Sequence, residues 1–138
     1  MHQCIELARI AKQHGESPVG SLIVKAGEII GRGIECSKAH ADITFHAEIQ
    51  AIREATGLLM SQDLSACILY TTHEPCIMCS YVIRHTRINT VVIGLLTGEL
   101  GGYSSKFPIL TDDSFTKWGH PPNLVFGILE KECSQLNR

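Results

Sequence analysis

Long apolar runs are missing from this 138-residue chain. No stretch of about 18 hydrophobic residues occurs, so no transmembrane helix and no membrane partner are expected. An uninterrupted apolar segment is also missing near the start, where Arg9 and Lys12 interrupt residues 1–14. That argues against a secretory signal and for a cytoplasmic location. Excess positive charge is missing too: 12 basic and 14 acidic residues leave a net charge of −2. The global electrostatic argument for a nucleic-acid partner is thereby removed, although a local basic patch would suffice. Internal repeats, low-complexity tracts and linkers are absent, and with 44% hydrophobic residues the chain reads as one domain over 1–138. The six cysteines follow no regular spacing, and a chain of this size needs no covalent staples. Reduced thiols are the expectation, with Cys4, Cys36, Cys67 and Cys133 as small apolar residues.

Periodicity supplies the elements. Cys4, Ala8 and Ala11 share one helical face within 2–14, and Gly15 closes that helix. Residues 19–24 and 28–33 read as strands joined by a turn at Lys25-Ala26-Gly27. A second helix spans 46–55, with Gly57 as its stop. Residues 67–71 form an apolar strand, and a third helix starts at Pro75 and runs to about His85. Residues 91–94 and 124–127 read as strands and 128–136 as a last helix. Between them, 95–122 is a long irregular segment with several glycines and prolines, of the kind that is functional or mobile. Its Phe107, Trp118 and His120 are candidates for capping a pocket or supporting a dimer. The order α-β-β-α-β-α-β-β-α predicts an α/β fold: a three-layer α/β/α arrangement around a mixed sheet.

Chemistry concentrates in two motifs, His46-Ala47-Glu48 and Pro75-Cys76-Ile77-Met78-Cys79. They supply one imidazole, two thiolates and one carboxylate. A catalytic zinc site needs three protein ligands, a position for water and a proton carrier. Cys76 and Cys79 are three apart, so a helix puts both sulfurs on one face. Both lie in the first turn after Pro75, where free N–H groups and the helix dipole favour thiolates. His46, Cys76 and Cys79 are therefore the candidate Zn2+ ligands, one ion per chain, and Glu48 the candidate proton shuttle. Positions i and i+2 do not face each other in a helix, so His46 and Glu48 converge only if the pair straddles a helix start. The competing reading is a structural zinc site, with Cys36, Cys67 or His73 as fourth ligand. No second C-x-x-C and no H-x-x-x-H supports it, and a structural site has no use for Glu48.

With these motifs the chain resembles the cytidine/deoxycytidylate deaminase superfamily, zinc-dependent enzymes marked by H-x-E and P-C-x-x-C. More narrowly it is similar to the branch holding tRNA adenosine deaminases, bacterial guanine deaminases and fungal cytosine deaminase. The resemblance spans nearly all of 2–100. It includes Pro18-Val19-Gly20, Glu28-Ile29-Ile30-Gly31, Thr44-Phe45-His46-Ala47-Glu48, Leu69-Tyr70-Thr71, Glu74-Pro75-Cys76-Ile77-Met78-Cys79 and Ile93-Gly94. It implies a cytidine-deaminase-like fold with a central five-stranded mixed sheet, assembled as a homodimer or larger oligomer. It also implies zinc on His46, Cys76 and Cys79, with the backbone N–H groups of Ala47 and Cys76 near the base or the attacking water.

The departures bear on substrate. Glu35 stands where this branch usually has a base-binding asparagine. A carboxylate only accepts hydrogen bonds, so Glu35 calls for a ligand edge rich in N–H groups, unless it turns to solvent. Phe45 replaces a usual alanine and either narrows the pocket or joins the core. His73 replaces a usual leucine and reads first as a structural hydrogen-bonder. The last ten residues carry Lys131 and Arg138 against Glu130 and Glu132, without the strongly basic terminal helix typical of the tRNA enzymes. The leading expectation is a hydrolase that releases ammonia from a small amino-heterocycle, a free nucleobase or nucleoside. The alternative is a tRNA-specific adenosine deaminase, converting adenosine to inosine in an anticodon loop, with tRNA as partner.

Overall fold

The computed structural model describes all of residues 1–138. Helix α1 (His2–Gln13) leads into strand β1 (Gly20–Lys25), and Ala26-Gly27 turns the chain into β2 (Glu28–Ile34). Both turn residues have positive φ, 50° and 79°, the conformation a two-residue hairpin turn requires. A single-turn helix α2 (Ser37–His40) precedes α3 (Ala47–Leu59). Then come β3 (Cys67–His73), α4 (Ile77–His85), β4 (Thr90–Leu95), β5 (Asn123–Phe126) and α5 (Glu130–Gln135). The five strands form one sheet in the order β2-β1-β3-β4-β5. Strand β1 pairs antiparallel with β2 and β3, while β3/β4 and β4/β5 are parallel. No helix is long and apolar enough to cross a membrane.

This topology positions the site. Because β1 is antiparallel to both its neighbours, β2 and β3 run the same way. Each is followed by a helix that returns over one face, α3 after β2 and α4 after β3, so both helices begin at the same edge of the sheet. Ala51, Ile52 and Ala55 of α3 share a buried core with Ile83 of α4, Ile23, Leu69 and Val91 of the sheet. On the opposite face Ile5 and Ala8 of α1 meet Cys133 and Leu136 at the C-terminal end. The expected three layers are present.

Small residues set how closely α3 lies on β2. A Cβ at Gly31 would sit 2.2 Å from the Ala51 carbonyl oxygen, and one at Gly33 only 1.9 Å from that of Ala47. Ala47, Ala51 and Ala55, one per turn, are fully buried along the facing side. Helix backbone therefore rests directly on strand backbone, which fixes the height of the α3 N-terminus over the sheet edge.

The structure corrects several element boundaries. Helix α3 runs through Gly57 to Leu59 and ends where Met60 adopts φ 50°. A glycine with open space around it costs a helix propensity but does not break it. Helix α4 starts at Ile77 rather than Pro75, because Cys76 is extended and serves as the N-cap. Helix α5 is shorter than 128–136, since Gly127 and Leu129 both have positive φ. The one-turn helix α2 went unpredicted, being too short to show periodicity. Segment 96–122 contains no helix, so the β4–β5 crossover is made of turns. It is nonetheless anchored: Leu110 is fully buried, and the buried Arg84 donates from Nη1 to the carbonyls of Ile109 (2.8 Å) and Asp112 (2.6 Å). The Arg84 guanidinium also lies 4.1 Å from the centre of the Phe115 ring. Trp118 stacks on His85 at 3.7 Å, clamping the same segment to the end of α4.

Two glycine substitutions separate packing from propensity. Gly33→Ala is expected to destabilise the fold by about 1–3 kcal/mol or more, because the added methyl meets backbone. Gly57→Ala, with nothing within 4 Å of the new methyl, is expected to stabilise by about 0.5–1 kcal/mol. Urea titration of the two variants checks both signs.

Candidate metal centre

The two helix starts converge as the topology requires. His46 is the N-cap of α3, with extended backbone (φ −71°, ψ 154°), and Glu48 lies in the first turn. The pair thus straddles the helix start, which resolves the i, i+2 difficulty. Cys76 is the N-cap of α4, and its sulfur accepts the Cys79 N–H at 3.5 Å. His46 Nδ1 lies 3.6 Å from both Cys76 Sγ and Cys79 Sγ. The three ligand atoms fall within 4.8 Å of one another, and no other histidine, cysteine or acid joins them. A tetrahedral ion with bonds of about 2.3 Å to sulfur and 2.0–2.1 Å to nitrogen has S···N edges of about 3.6 Å. The donor set and its spacing fit zinc.

Electrostatics divide the two thiols. Hydrogen bonding from Cys79, aided by His46, lowers Cys76 to about 4 in pKa. Cys79 is raised by its interaction with the Cys76 sulfur, by full burial and by Glu48, whose Oε2 its thiol faces. His46 is raised to about 9 by its bond to the Cys76 sulfur, against the effect of burial. Glu48, 4% exposed, is pushed up to about 7 by burial. Its Oε2 lies 3.5 Å from Cys79 Sγ, outside the three-ligand group. A carboxylate held beside the ligands without joining them is placed to carry a proton.

Glu35 does not swing to solvent. It is 6% exposed, and its Oε1 accepts the Ser37 N–H at 3.1 Å and the Ser37 hydroxyl. Strand register explains its position. On the α3 side of β2, Gly31 faces Ala51 and Gly33 faces Ala47. The next residue on that face, Glu35, lies beyond the first turn of α3, where its charge acts on His46. Ala47 is the first helical residue, so its N–H has no acceptor within α3. Phe45 is half-buried rather than core: its ring stacks on His40 at 4.0 Å, with the Arg53 guanidinium 4.9 Å from its centre. His73 is structural, bonded through Nδ1 to Thr72 Oγ1 (2.9 Å) and through Nε2 to Asn137 Oδ1 (3.1 Å). Cys67 is in the core and Cys36 lies near Gln50, so neither supplies a fourth ligand.

Sequence reasoning assigned no role to Glu74. It is 3% exposed and accepts five hydrogen bonds. Oε1 takes the N–H groups of Tyr103 (2.9 Å) and Ser104 (2.6 Å). Oε2 takes the Thr97 N–H (2.8 Å) and the hydroxyls of Ser104 (2.6 Å) and Thr97 (3.4 Å). Burial opposes its ionisation, but these bonds outweigh burial and hold its pKa below the ordinary value. Residues 97–104 are thereby fastened to the motif that carries Cys76. Backbone bonds from Ile77 N–H to Leu100 and from Gly102 N–H to Pro75 complete the seam. Glu16, also buried, accepts from the N–H groups of Lys38 and Ala39 and steadies the loop before His46 in the same way. Only the donors identify these two acids, and they come from distant backbone that no local pattern reveals. Glu74→Ala is expected to cost about 2 kcal/mol or more in thermal or urea unfolding, since several buried donors lose a charged acceptor.

A family model described as the cytidine and deoxycytidylate deaminase zinc-binding region matches residues 1–95. The tRNA-specific adenosine deaminase of Aquifex aeolicus (strain VF5) is 42% identical over 118 residues, covering 83% of this chain and 78% of that protein. A solved structure from work on A-to-I editing by tRNA:A34 deaminases superposes with a TM-score of 0.91 at 30% identity, over 99% of this chain and 96% of the other. Guanine deaminase from Bacillus subtilis gives a TM-score of 0.67 at 38% identity, over 69% of this chain and 61% of that one. With the motif, the ligand geometry and these matches in agreement, the chain belongs to the cytidine and deoxycytidylate deaminase family, the zinc-dependent hydrolytic deaminases.

Proposed function

We propose that this protein deaminates adenosine to inosine in a tRNA anticodon loop. The observation that carries the reading is the 42% identity, over 83% of the chain, with a protein named for that activity. The near-complete superposition on a tRNA:A34 deaminase supports it further. The sequence alone, through its charge balance and Glu35, favoured a small free base. That remains the second reading, and it rests on the acceptor-only Glu35 carboxylate and the likeness to guanine deaminase. The whole of 1–138 is taken as one catalytic domain. Six unpaired cysteines are in keeping with a cytoplasmic setting. The exposed side chains of Ile43, Leu58, Met60 and Tyr81 suit the expected self-association.

In this reading His46, Cys76 and Cys79 hold the zinc, which when bound supplies Lewis-acid polarisation of a water. Glu48 takes one proton from the attacking water and delivers it to the purine ring nitrogen, then takes the remaining proton from the new hydroxyl and delivers it to the departing amine. A C–O bond forms at the ring carbon, the C–N bond breaks, and ammonia leaves. The Ala47 N–H and the free edge of Glu35 orient the base. Phe45, braced by His40 and Arg53, walls the approach.

Glu48→Ala is expected to retain about one zinc per chain and lose at least a hundredfold in turnover. Cys79→Ala is expected to lose the metal and to unfold at lower temperature. Metal analysis beside ammonia release decides: full zinc in Cys79→Ala protein would overturn the ligand assignment. The substrate is tested by incubating zinc-loaded protein with anticodon stem-loop RNA and with adenine, guanine, cytosine and their nucleosides. Inosine in the RNA alone is the expected result. Ammonia from a free base or nucleoside, with the RNA untouched, would replace the first reading by the second.

A further inference from the structure

Resting on the RNA reading, we infer that the loop over residues 97–107 is a stacking platform for the nucleotides flanking the target adenosine, with Phe107 as its main contact. The loop is rigid for physical reasons. Its first half closes around the buried Glu74 carboxylate, and Gly101 and Gly102 admit no side chain. A Cβ at Gly101 would meet the Glu74 carboxyl carbon at 2.3 Å, and one at Gly102 would meet Ser80 Oγ at 1.8 Å. It is also continuous with the site, since Gly101 bridges to Cys76.

From this braced frame the loop presents large side chains outward. Phe107 is 63% exposed and Leu100 66%, with Tyr103 partly exposed and tilted against Phe126 at 4.6 Å. The Ser105 hydroxyl accepts the Phe107 N–H at 3.0 Å, which fixes the backbone beneath the ring. Gly98, Glu99, Ser104, Ser105, Lys106 and Phe107 line a cleft of about 510 Å³. Exposed aromatic and apolar side chains on an ordered loop beside a catalytic centre have the features that single-stranded RNA uses. Every base has a π-face, so the contact tolerates sequence variation. Lys106 supplies one positive charge for a phosphate. Glu99, the other charged group of the cleft, keeps it from being a general anion site and accepts from exocyclic amines. This distribution explains how a chain of net charge −2 holds RNA: ring stacking carries a share that in basic relatives falls to phosphate contacts.

The test uses the full zinc-loaded chain and an anticodon stem-loop RNA with 2-aminopurine next to the target adenosine. Wild type is expected to bind with quenched fluorescence, as stacking requires. Phe107→Ala is expected to raise Kd and KM by a factor of about 5 to 100 and to abolish the quench, and Phe107→Tyr to restore both. Lys106→Ala is expected to flatten the slope of log K against log salt by about 0.7. Zinc content and Tm of each variant check that the fold is intact. Phe107→Ala that binds and quenches as wild type overturns the platform and leaves the RNA reading standing. Altered self-association in Phe107→Ala with unchanged RNA affinity overturns it in favour of a contact between two copies of this chain. Wild type that neither binds nor deaminates the RNA removes both proposals.

Discussion

At Gly31 and Gly33 helix α3 lies on β2 with no strand side chain between them, and the rest of the site depends on that contact. Gly31 and Gly33 on the strand and Ala47 and Ala51 on the helix bring the two backbones together. His46 sits at the first residue beyond this contact, so its imidazole inherits the position of a rigid pair of elements. Strands β2 and β3 run in one direction because β1 lies antiparallel between them. That arrangement sets the start of α4, and with it Cys76 and Cys79, opposite His46. Three side chains from segments 30 residues apart in sequence meet at a shared centre, His46 and Cys76 as helix N-caps and Cys79 in the first turn of α4.

Buried carboxylates form a second level of organisation. Glu16, Glu35, Glu48 and Glu74 are all under 9% exposed in a protein with only a small net charge. Three of the four are satisfied by backbone N–H groups and serve as anchors: Glu16 and Glu35 for the turn before His46, Glu74 for the loop beside Cys76. Each accepts charge-assisted bonds that offset its desolvation. Glu48 is the exception. Its one hydrogen bond to another side chain comes from the Cys79 thiol, and burial holds its proton affinity high. The contrast separates Glu48 from the carboxylates committed to structure.

The departures from family pattern gain physical meaning in this frame. Glu35 looked in sequence like a substitution that either rewrites the base contact or points to water. It does neither simply, because it is buried and one oxygen is already spent on Ser37. Phe45 is held by a neighbouring ring and a guanidinium, half-buried and outside the core. The long segment after β4, irregular in sequence, is pinned at both ends, by Glu74 near the metal centre and by Arg84 and His85 at the far end of α4.

Local chemistry was legible in the sequence. The metal-binding residue types and their i, i+3 spacing, a carboxylate two residues from the histidine, the five strands and the three-layer class all follow from motif and periodicity, which act over a few residues. The helix starts were misjudged by two residues at Pro75, because a proline is tolerated both at a first turn and just before a cap. The partners of Glu16, Glu74 and Arg84 were invisible, since backbone donors and acceptors carry no sequence label and lie from 22 to 30 residues away. Sequence by itself determined which atoms can bind metal and move a proton, because that is set by side-chain identity. Tertiary structure alone decided which acids are spent on backbone N–H groups and which loop is fastened beside Cys76, because those depend on desolvation and on contacts that exist only once the chain has folded.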